Sequence, residues 1–476
     1  MRRDVTGSLL VKNVASRGFA TCFPALVVGV FVSSLAWGTT AIGEEREDSF
    51  QALAEDASLE DYLRIAALNN AGLESTFNLW KASLERIPQA KSLPDPRFNY
   101  TYFVEEVETR VGPQRQRFGV AQMFPWFGKL RLRGDAAAAS AEAAQQDYEK
   151  AKLALFYRVK AAYYEYWYLA QAIAVTEEHT RLVSNMEAVA RTRFTAGTAP
   201  HSAVIQAQVE LGKLDDRLRT LVLMREPVVA KLNAAMTRPT YLMLPWPQSL
   251  PEIQTTISDA EVKQRLVENN PDLQRLEHLV AREESGIRLA RRNYYPDISL
   301  GVDYVQTDEA LMPNTLDSGK DPIMAMISIN VPIWQGSYRA AEREAHLKKA
   351  AVVNSLEDAG KRLEADLEFA LYQFRDAKRK IDLYSDTLIP KAEQSLAVVQ
   401  QGFEAGKTDF IALIDAERLL LEFQLAGRRA QADLGQRLAE IEMLTGNEAG
   451  ENHGQDEKTI KDKAEEQTEH KGPGGS

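Results

Sequence analysis

The chain has a single cysteine, Cys22, and no thiol anywhere after it. A disulfide framework and a thiolate metal site are therefore excluded from the body of the protein. The histidines (His179, His201, His278, His346, His453 and His470) are scattered, with no pair at i, i+4 spacing. The usual zinc arrangements are thus missing, and no metal site or cofactor is expected. Met312, Met324 and Met326 read as strand filling, not as copper ligands. Basic residues are not in excess: 57 Lys and Arg face 68 Asp and Glu, a net charge of −11, which speaks against a nucleic-acid partner. No Ser/His/Asp arrangement or glycine-rich phosphate loop stands near the paired carboxylates Glu105-Glu106 and Glu283-Glu284, which read as solvated charge. An enzyme is the least expected class. Beyond the N-terminal segment there is no uninterrupted apolar run of ~18 residues, so any membrane crossing is not made by helices.

What is present begins with an export signal. Arg2, Arg3, Lys12 and Arg17 precede an apolar run from Phe19 to about Trp37. Small residues follow, and Ser34-Leu35-Ala36 or Thr39-Thr40-Ala41 could precede a cleavage site. Residues 1–43 are read as a signal peptide, with an uncleaved membrane anchor as the alternative. Cys22 precedes most of the apolar run, which is the wrong place for a lipoprotein cysteine.

The chain then repeats itself at an offset of about 200 residues. Ser58-Leu59-Glu60-Asp61 corresponds to Ser258-Asp259-Ala260-Glu261, and both look like capping boxes. Asn69-Asn70 matches Asn269-Asn270, and Pro94-Asp95 matches Pro296-Asp297. Phe124-Pro125-Trp126-Phe127-Gly128 resembles Val331-Pro332-Ile333-Trp334-Gln335-Gly336, with one residue inserted. Phe194-Thr195-Ala196-Gly197 matches Phe403-Glu404-Ala405-Gly406. The first repeat is placed at 44–236 and the second at 258–446. Each is expected to run helix, two strands, long helix, glycine turn, helix. A Pro-rich linker, 237–257, joins them, and a polar tail, 447–476, cannot bury a core.

The strands carry a period of two. Phe98, Tyr100, Tyr102 and Val104 alternate with polar residues; so do Phe118, Val120 and Phe124, and Ile298, Leu300, Val302 and Tyr304. In the fourth strand Ile323, Ala325, Ile327, Ile329 and Val331 share a face. About ten residues is the length that crosses a bilayer at a tilt. The runs from about Gly128 to Ala196 and from about Gly336 to Ala405 are each read as one unbroken helix. At about 70 residues each would be roughly 100 Å long, more than a compact soluble domain uses. Heptads run through both: Leu155, Val159, Ala162, Tyr166 and Leu169 in the first, Leu363, Leu367, Ala370, Phe374 and Ala377 in the second.

Four strands cannot close a barrel, and an open sheet in lipid leaves edge N–H and C=O groups unpaired at several kcal/mol each. The strands must be shared among copies. Trp126, Phe127, Tyr294, Tyr295, Trp334 and Tyr338 lie at strand ends, where interfacial aromatic girdles form.

From about Ser58 to Gly446 the sequence resembles the TolC family of outer-membrane efflux proteins. The resemblance is carried by the duplicated layout, the strand exits Phe124 to Lys129 and Val331 to Gly336, the two Phe-x-Ala-Gly turns, and Ile414-Asp415-Ala416-Glu417 after the second turn. It implies an α+β membrane protein, a trimeric outer-membrane β-barrel with four strands per chain and twelve in total. A long antiparallel α-helical coiled-coil barrel would continue it into the periplasm. The implied partners are two further copies, outer-membrane lipid, a periplasmic adaptor (membrane fusion) protein and an inner-membrane pump. The expected function is the outer-membrane channel of a tripartite efflux system. A type I protein secretion channel on the same fold and a membrane-anchored coiled-coil scaffold are the alternatives. The resemblance places Phe194, Ala196, Gly197, Phe403, Ala405 and Gly406 at the periplasmic tip and Asp415 in a pore ring of carboxylates. It also shows departures: Ala203 and Ala412 stand where acids are often found, and Thr408 where an arginine is.

Overall fold

The computed structural model describes residues 53–251, 253 and 258–446. The expected signal segment 1–43 and tail 447–476 lie outside the described residues. Ser58 opens α1 (Leu59–Asn69) with a full capping box: its Oγ accepts from the Asp61 N–H, and the Asp61 carboxylate accepts from the Ser58 N–H at 3.0 Å. Those bonds hold the Asp61 carboxyl below its usual range. The second expected capping box does not form. Ser258 caps α7 (Asp259–Asn269) without a side-chain bond, because Asp259 pairs with Arg375 at 2.6 Å and Glu261 with Arg265 at 2.5 Å.

The single helix expected at the head of each half is broken at an asparagine. Asn70 accepts from Leu73 N–H (2.8 Å) to start α2 (Ala71–Leu84), and Asn270 accepts from Leu273 N–H (3.2 Å) to start α8 (Pro271–Arg292). Each amide also donates across its half. Asn70 reaches the Ala235 carbonyl at the end of α6 (Arg225–Ala235), and Asn270 reaches the Leu444 carbonyl near the end of α11 (Phe410–Thr445), both at 2.8 Å. The repeated asparagines thus tie the first and last helices of each half together.

After α3 (Arg86–Lys91) come β1 (Arg97–Thr109) and β2 (Gly112–Phe124); after α8 come β3 (Ile298–Thr307) and β4 (Ile323–Ile329). They form one antiparallel sheet in the order β1-β2-β3-β4. Val331, expected on β4, falls beyond its end. From β2 the chain enters α4 (Lys129–Thr195), 67 residues and so roughly 100 Å long, then α5 (His201–Leu223). The second long run is not one helix. It divides into α9 (Gln335–Leu383), a π turn (Tyr384–Leu388) and α10 (Ile389–Glu404). The cause is Pro390, which has no N–H for the carbonyl one turn earlier, so the hydrogen-bond ladder widens there.

In α4 the heptad residues Leu155, Val159, Tyr166 and Leu169 are buried, but so are Tyr163, Tyr164 and Trp167 beside them. A two-helix seam does not account for that. α4 packs at once on α1, α2, α5, α6, α8 and α11, so several of its faces are core. The Pro-rich stretch after α6 is bound to the same core. Trp246 stacks on Tyr166 at 4.7 Å, while the Tyr166 hydroxyl (2.8 Å) and Arg225 (3.0 Å) both donate to the Leu244 carbonyl.

Candidate functional site

The register of the sheet sorts its side chains into two faces. Phe98 lies opposite Val120 and Tyr100 opposite Phe118; Val120 faces Val302, Phe118 faces Tyr304, Leu300 faces Ile327 and Ile298 faces Ile329. The apolar rows of all four strands therefore share one face, and Phe98, Tyr100, Val120, Val302, Ile323 and Ile327 are exposed on it. The opposite face carries Asn99, Thr101, Arg117, Asp303, Ser299 and Ser328. There Arg117 forms an ion pair with Asp303, and Gly119 leaves room for it, since a Cβ at that position would collide with the Asp303 carboxylate. β1 and β4 are the sheet edges, each bonded to one neighbour.

The strand-end aromatics form two clusters. Trp126 stacks on Tyr295 at 5.4 Å and meets Phe127 edge-on at 5.7 Å; Tyr294 packs on Tyr338 at 5.6 Å. Phe127 and Trp334 are 80% and 77% exposed. Beneath the first cluster lies a joint between the repeats. The Asp297 carboxylate accepts from the Trp126 N–H and from the Lys129 ammonium, both at 2.7 Å, and Lys129 also donates to the Tyr295 carbonyl at 3.0 Å.

At the far ends of the long helices the two glycine turns have the same geometry. Gly197 (φ 70°) donates to the Phe194 carbonyl, and Thr198 donates to that of Arg193. Gly406 (φ 74°) donates to Phe403 and Lys407 to Gly402. These are Schellman caps, which need a residue able to hold positive φ. Ala196 and Ala405 are the C-caps. Phe194 is exposed and packs on the His201 ring at 4.8 Å, whereas Phe403 is buried against Phe410. Arg193 links the turns: its guanidinium lies over the Phe403 ring at 4.8 Å and donates to the Phe403 carbonyl.

Asp415 is exposed and lies 3.3 Å from Arg418, whose guanidinium also binds Glu210 of α5. Burial opposes the charge on Glu210, but Arg418 and Lys213 outweigh it and hold that carboxyl below its usual range. Ala203 is buried in the helix core, Thr408 donates to the Val399 carbonyl at 3.0 Å, and the Ala412 N–H is capped by Asp409 at 2.9 Å. Deeper between α4 and α11 is a pair that the sequence reading passed over. His179 Nδ1 lies 2.7 Å from Glu417 Oε1, and Nε2 lies 3.0 Å from Gln424 Oε1. A signal for it existed: Glu417 falls in the helical stripe of Leu413, Leu420 and Leu421, and His179 in that of Thr176, Val183 and Met186, all buried.

The outer membrane efflux protein family matches residues 66–226 and 262–447. The solvent efflux pump outer membrane protein SrpC of Pseudomonas putida is 24% identical over 383 residues, covering 78% of this chain and 79% of that protein. The cobalt-zinc-cadmium resistance protein CzcC of Cupriavidus metallidurans is 22% identical over 386 residues, covering 77% and 85%. Among solved structures, the outer membrane protein VceC of Vibrio cholerae superposes with a TM-score of 0.69 at 16% identity, over 83% of this chain and 97% of that one, a likeness of fold.

Proposed function

The chain belongs to the outer membrane efflux protein family, and from that premise we propose that three copies form a passive exit duct through the outer membrane. Each copy gives four strands to a twelve-strand barrel, and the long helices extend it into the periplasm. An inner-membrane pump, coupled through a periplasmic adaptor, delivers the cargo. Residues 1–43 are the export signal, and 44–236 and 258–446 the two repeats, joined by 237–257 and followed by the tail 447–476. One observation carries this reading: a four-strand sheet, edged by β1 and β4 among the described residues, whose apolar face is largely exposed, with Phe118 and Ile298 half-buried on it. Such a sheet needs both lipid and further strands. The efflux reading is favoured over protein secretion by SrpC, named for solvent efflux. That relative and CzcC, named for cobalt, zinc and cadmium resistance, are similar to this chain over nearly the same share of it, which suits a duct whose cargo the pump selects. The protein extracted in detergent is expected to have the mass of three chains. A monodisperse monomer with intact sheet content would sink the shared barrel.

Within the duct, Trp126, Phe127, Tyr294, Tyr295, Trp334 and Tyr338 form the periplasmic-side aromatic girdle. The turns at Phe194, Ala196 and Gly197 and at Phe403, Ala405 and Gly406 form the tip that meets the adaptor. Three exposed Asp415 carboxylates ring the pore, each partly offset by its own Arg418. Asp415→Ala is expected to weaken block by divalent and trivalent cations in single-channel recordings. Unchanged block would take Asp415 out of the ring.

A further inference from the structure

The internal repeat is exact enough in register to be carried across the edge of the chain. The offset that moves Asp95 onto Asp297 moves β1 onto β3, and the offset that moves Pro125 onto Pro332 moves β2 onto β4. Together they turn the first hairpin into the second: Phe98↔Val120 becomes Leu300↔Ile327, and Tyr100↔Phe118 becomes Val302↔Ala325, which are the pairs observed. The repeat is therefore a structural operator as well as a sequence pattern.

The same step can be applied to the seam between the hairpins, β2 against β3. It carries β2 onto β4 and carries β3 back onto β1, which the same chain cannot supply because its own β1 is at the far edge of the sheet. We infer that β4 of one copy pairs antiparallel with β1 of the next in one fixed register: Ile329↔Phe98, Ile327↔Tyr100, Ala325↔Tyr102 and Ile323↔Val104 on the apolar face, with Ser328↔Asn99 and Met326↔Thr101 on the other. These are the images of Gln122↔Leu300, Val120↔Val302, Phe118↔Tyr304, Gln116↔Gln306, Ala121↔Gly301 and Gly119↔Asp303. This rests on the shared-barrel reading and fixes its residues.

Two observations independent of the ladder agree with it. Every apolar-face pair joins two apolar residues that are exposed in the single chain, Val104 at 90%. A slip of one residue would bring the polar face of one strand against the apolar face of the other. The seam also runs on into the helices. α4, which continues from β2, buries Leu132, Ala139, Ala141 and Ala143 in its first turns, whereas α9, which continues from β4, buries nothing before Ala359 and leaves Leu347 exposed. α4 packs on both α2 and α8; α9 packs on α8 as α4 does on α2, but among the described residues it has no counterpart of α4's second neighbour. The mapping also sets the exposed Asp95 against the Pro332–Gln335 turn of the next copy, as Asp297 sits against Trp126. Ser337 stands in place of Lys129, so this joint has no buried ammonium.

Cysteine pairs test the register in the full chain in its membrane, with Cys22→Ser as background. Directly opposite residues have Cα atoms ~4.5–5.5 Å apart, within disulfide reach, while a two-residue slip adds about 6.6 Å along the strand and leaves it. On oxidation, Asn99→Cys with Ser328→Cys, and Thr101→Cys with Met326→Cys, are expected to give covalent dimers and trimers on non-reducing gels. The same four cysteines recombined, Asn99→Cys with Met326→Cys and Thr101→Cys with Ser328→Cys, should give about tenfold less. The reduced variants must have the mass of the unmutated assembly. Crosslinking by the recombined pairs instead, or by neither set in an assembly of three chains, overturns the register and leaves the shared barrel standing. A chain that is monomeric before any cysteine is introduced overturns the barrel itself.

Discussion

Asp297→Ala is expected to destabilise the protein by about 3–5 kcal/mol, the usual result of removing one partner of a buried ion pair. Lys129 is only 4% exposed, and its ammonium would be left with the Tyr295 carbonyl alone. The Trp126 N–H would lose its acceptor as well. The damage falls where β2 hands over to α4 and where β3 begins, so the sheet and the long helices would lose their fixed connection. Asp297→Asn keeps an acceptor for Trp126 and removes the charge, and should fall between the two. The midpoint of denaturant unfolding in detergent reads the effect, with the fraction surviving as an assembly as a second readout. A loss under about 1 kcal/mol for Asp297→Ala would mean that the joint is held by aromatic stacking alone.

His179→Ala should cost a similar amount, about 3–5 kcal/mol, by leaving Glu417 buried without a counter-charge. The two side chains are 2% and 0% exposed, and Glu417 Oε2 receives no hydrogen bond from the described residues even in the intact pair. Replacing both, His179→Leu with Glu417→Met, is expected to be neutral or stabilising, because hydrophobic residues of similar volume need no desolvation of charge. Burial works against protonation of His179, but the bonds to Glu417 and Gln424 outweigh it and hold the imidazole above its usual value. A group raised on folding lends stability below its unfolded value, about 6.5, and loses it as pH rises through the folded one. Unfolding midpoints of the intact protein should therefore decline above roughly pH 6.5, and the Leu/Met pair should lack that decline. A pH profile unchanged by the double replacement would show that folding does not raise His179 above its usual value.

Much of the architecture was legible because it is written in local pattern. The strand faces followed from alternation at Phe98, Tyr100 and Tyr102 and again at Ile298, Leu300 and Val302, since side chains in a strand alternate by geometry alone. Gly197 and Gly406 marked the turns because the backbone there needs positive φ. Local pattern failed where two signals competed. Heptads such as Leu363, Leu367, Ala370 and Phe374 favoured one long helix from Gly336 to Ala405, and that reading ran past Pro390, the residue that opens the π turn. The second capping box failed because the carboxylates of Asp259 and Glu261 found arginines instead.

The sequence by itself determined the duplication, the single helix from Lys129 to Thr195 and the apolar face of each strand. Each of these is written in residues near one another in the chain. Only the tertiary structure decided which polar groups meet: Asp297 with Lys129, His179 with Glu417, Arg193 with Phe403, and Asn70 and Asn270 with the last helix of their own halves. Those partners lie far apart in sequence, and whether a buried charge finds its counter-charge depends on how whole helices dock, which periodicity along one helix does not specify.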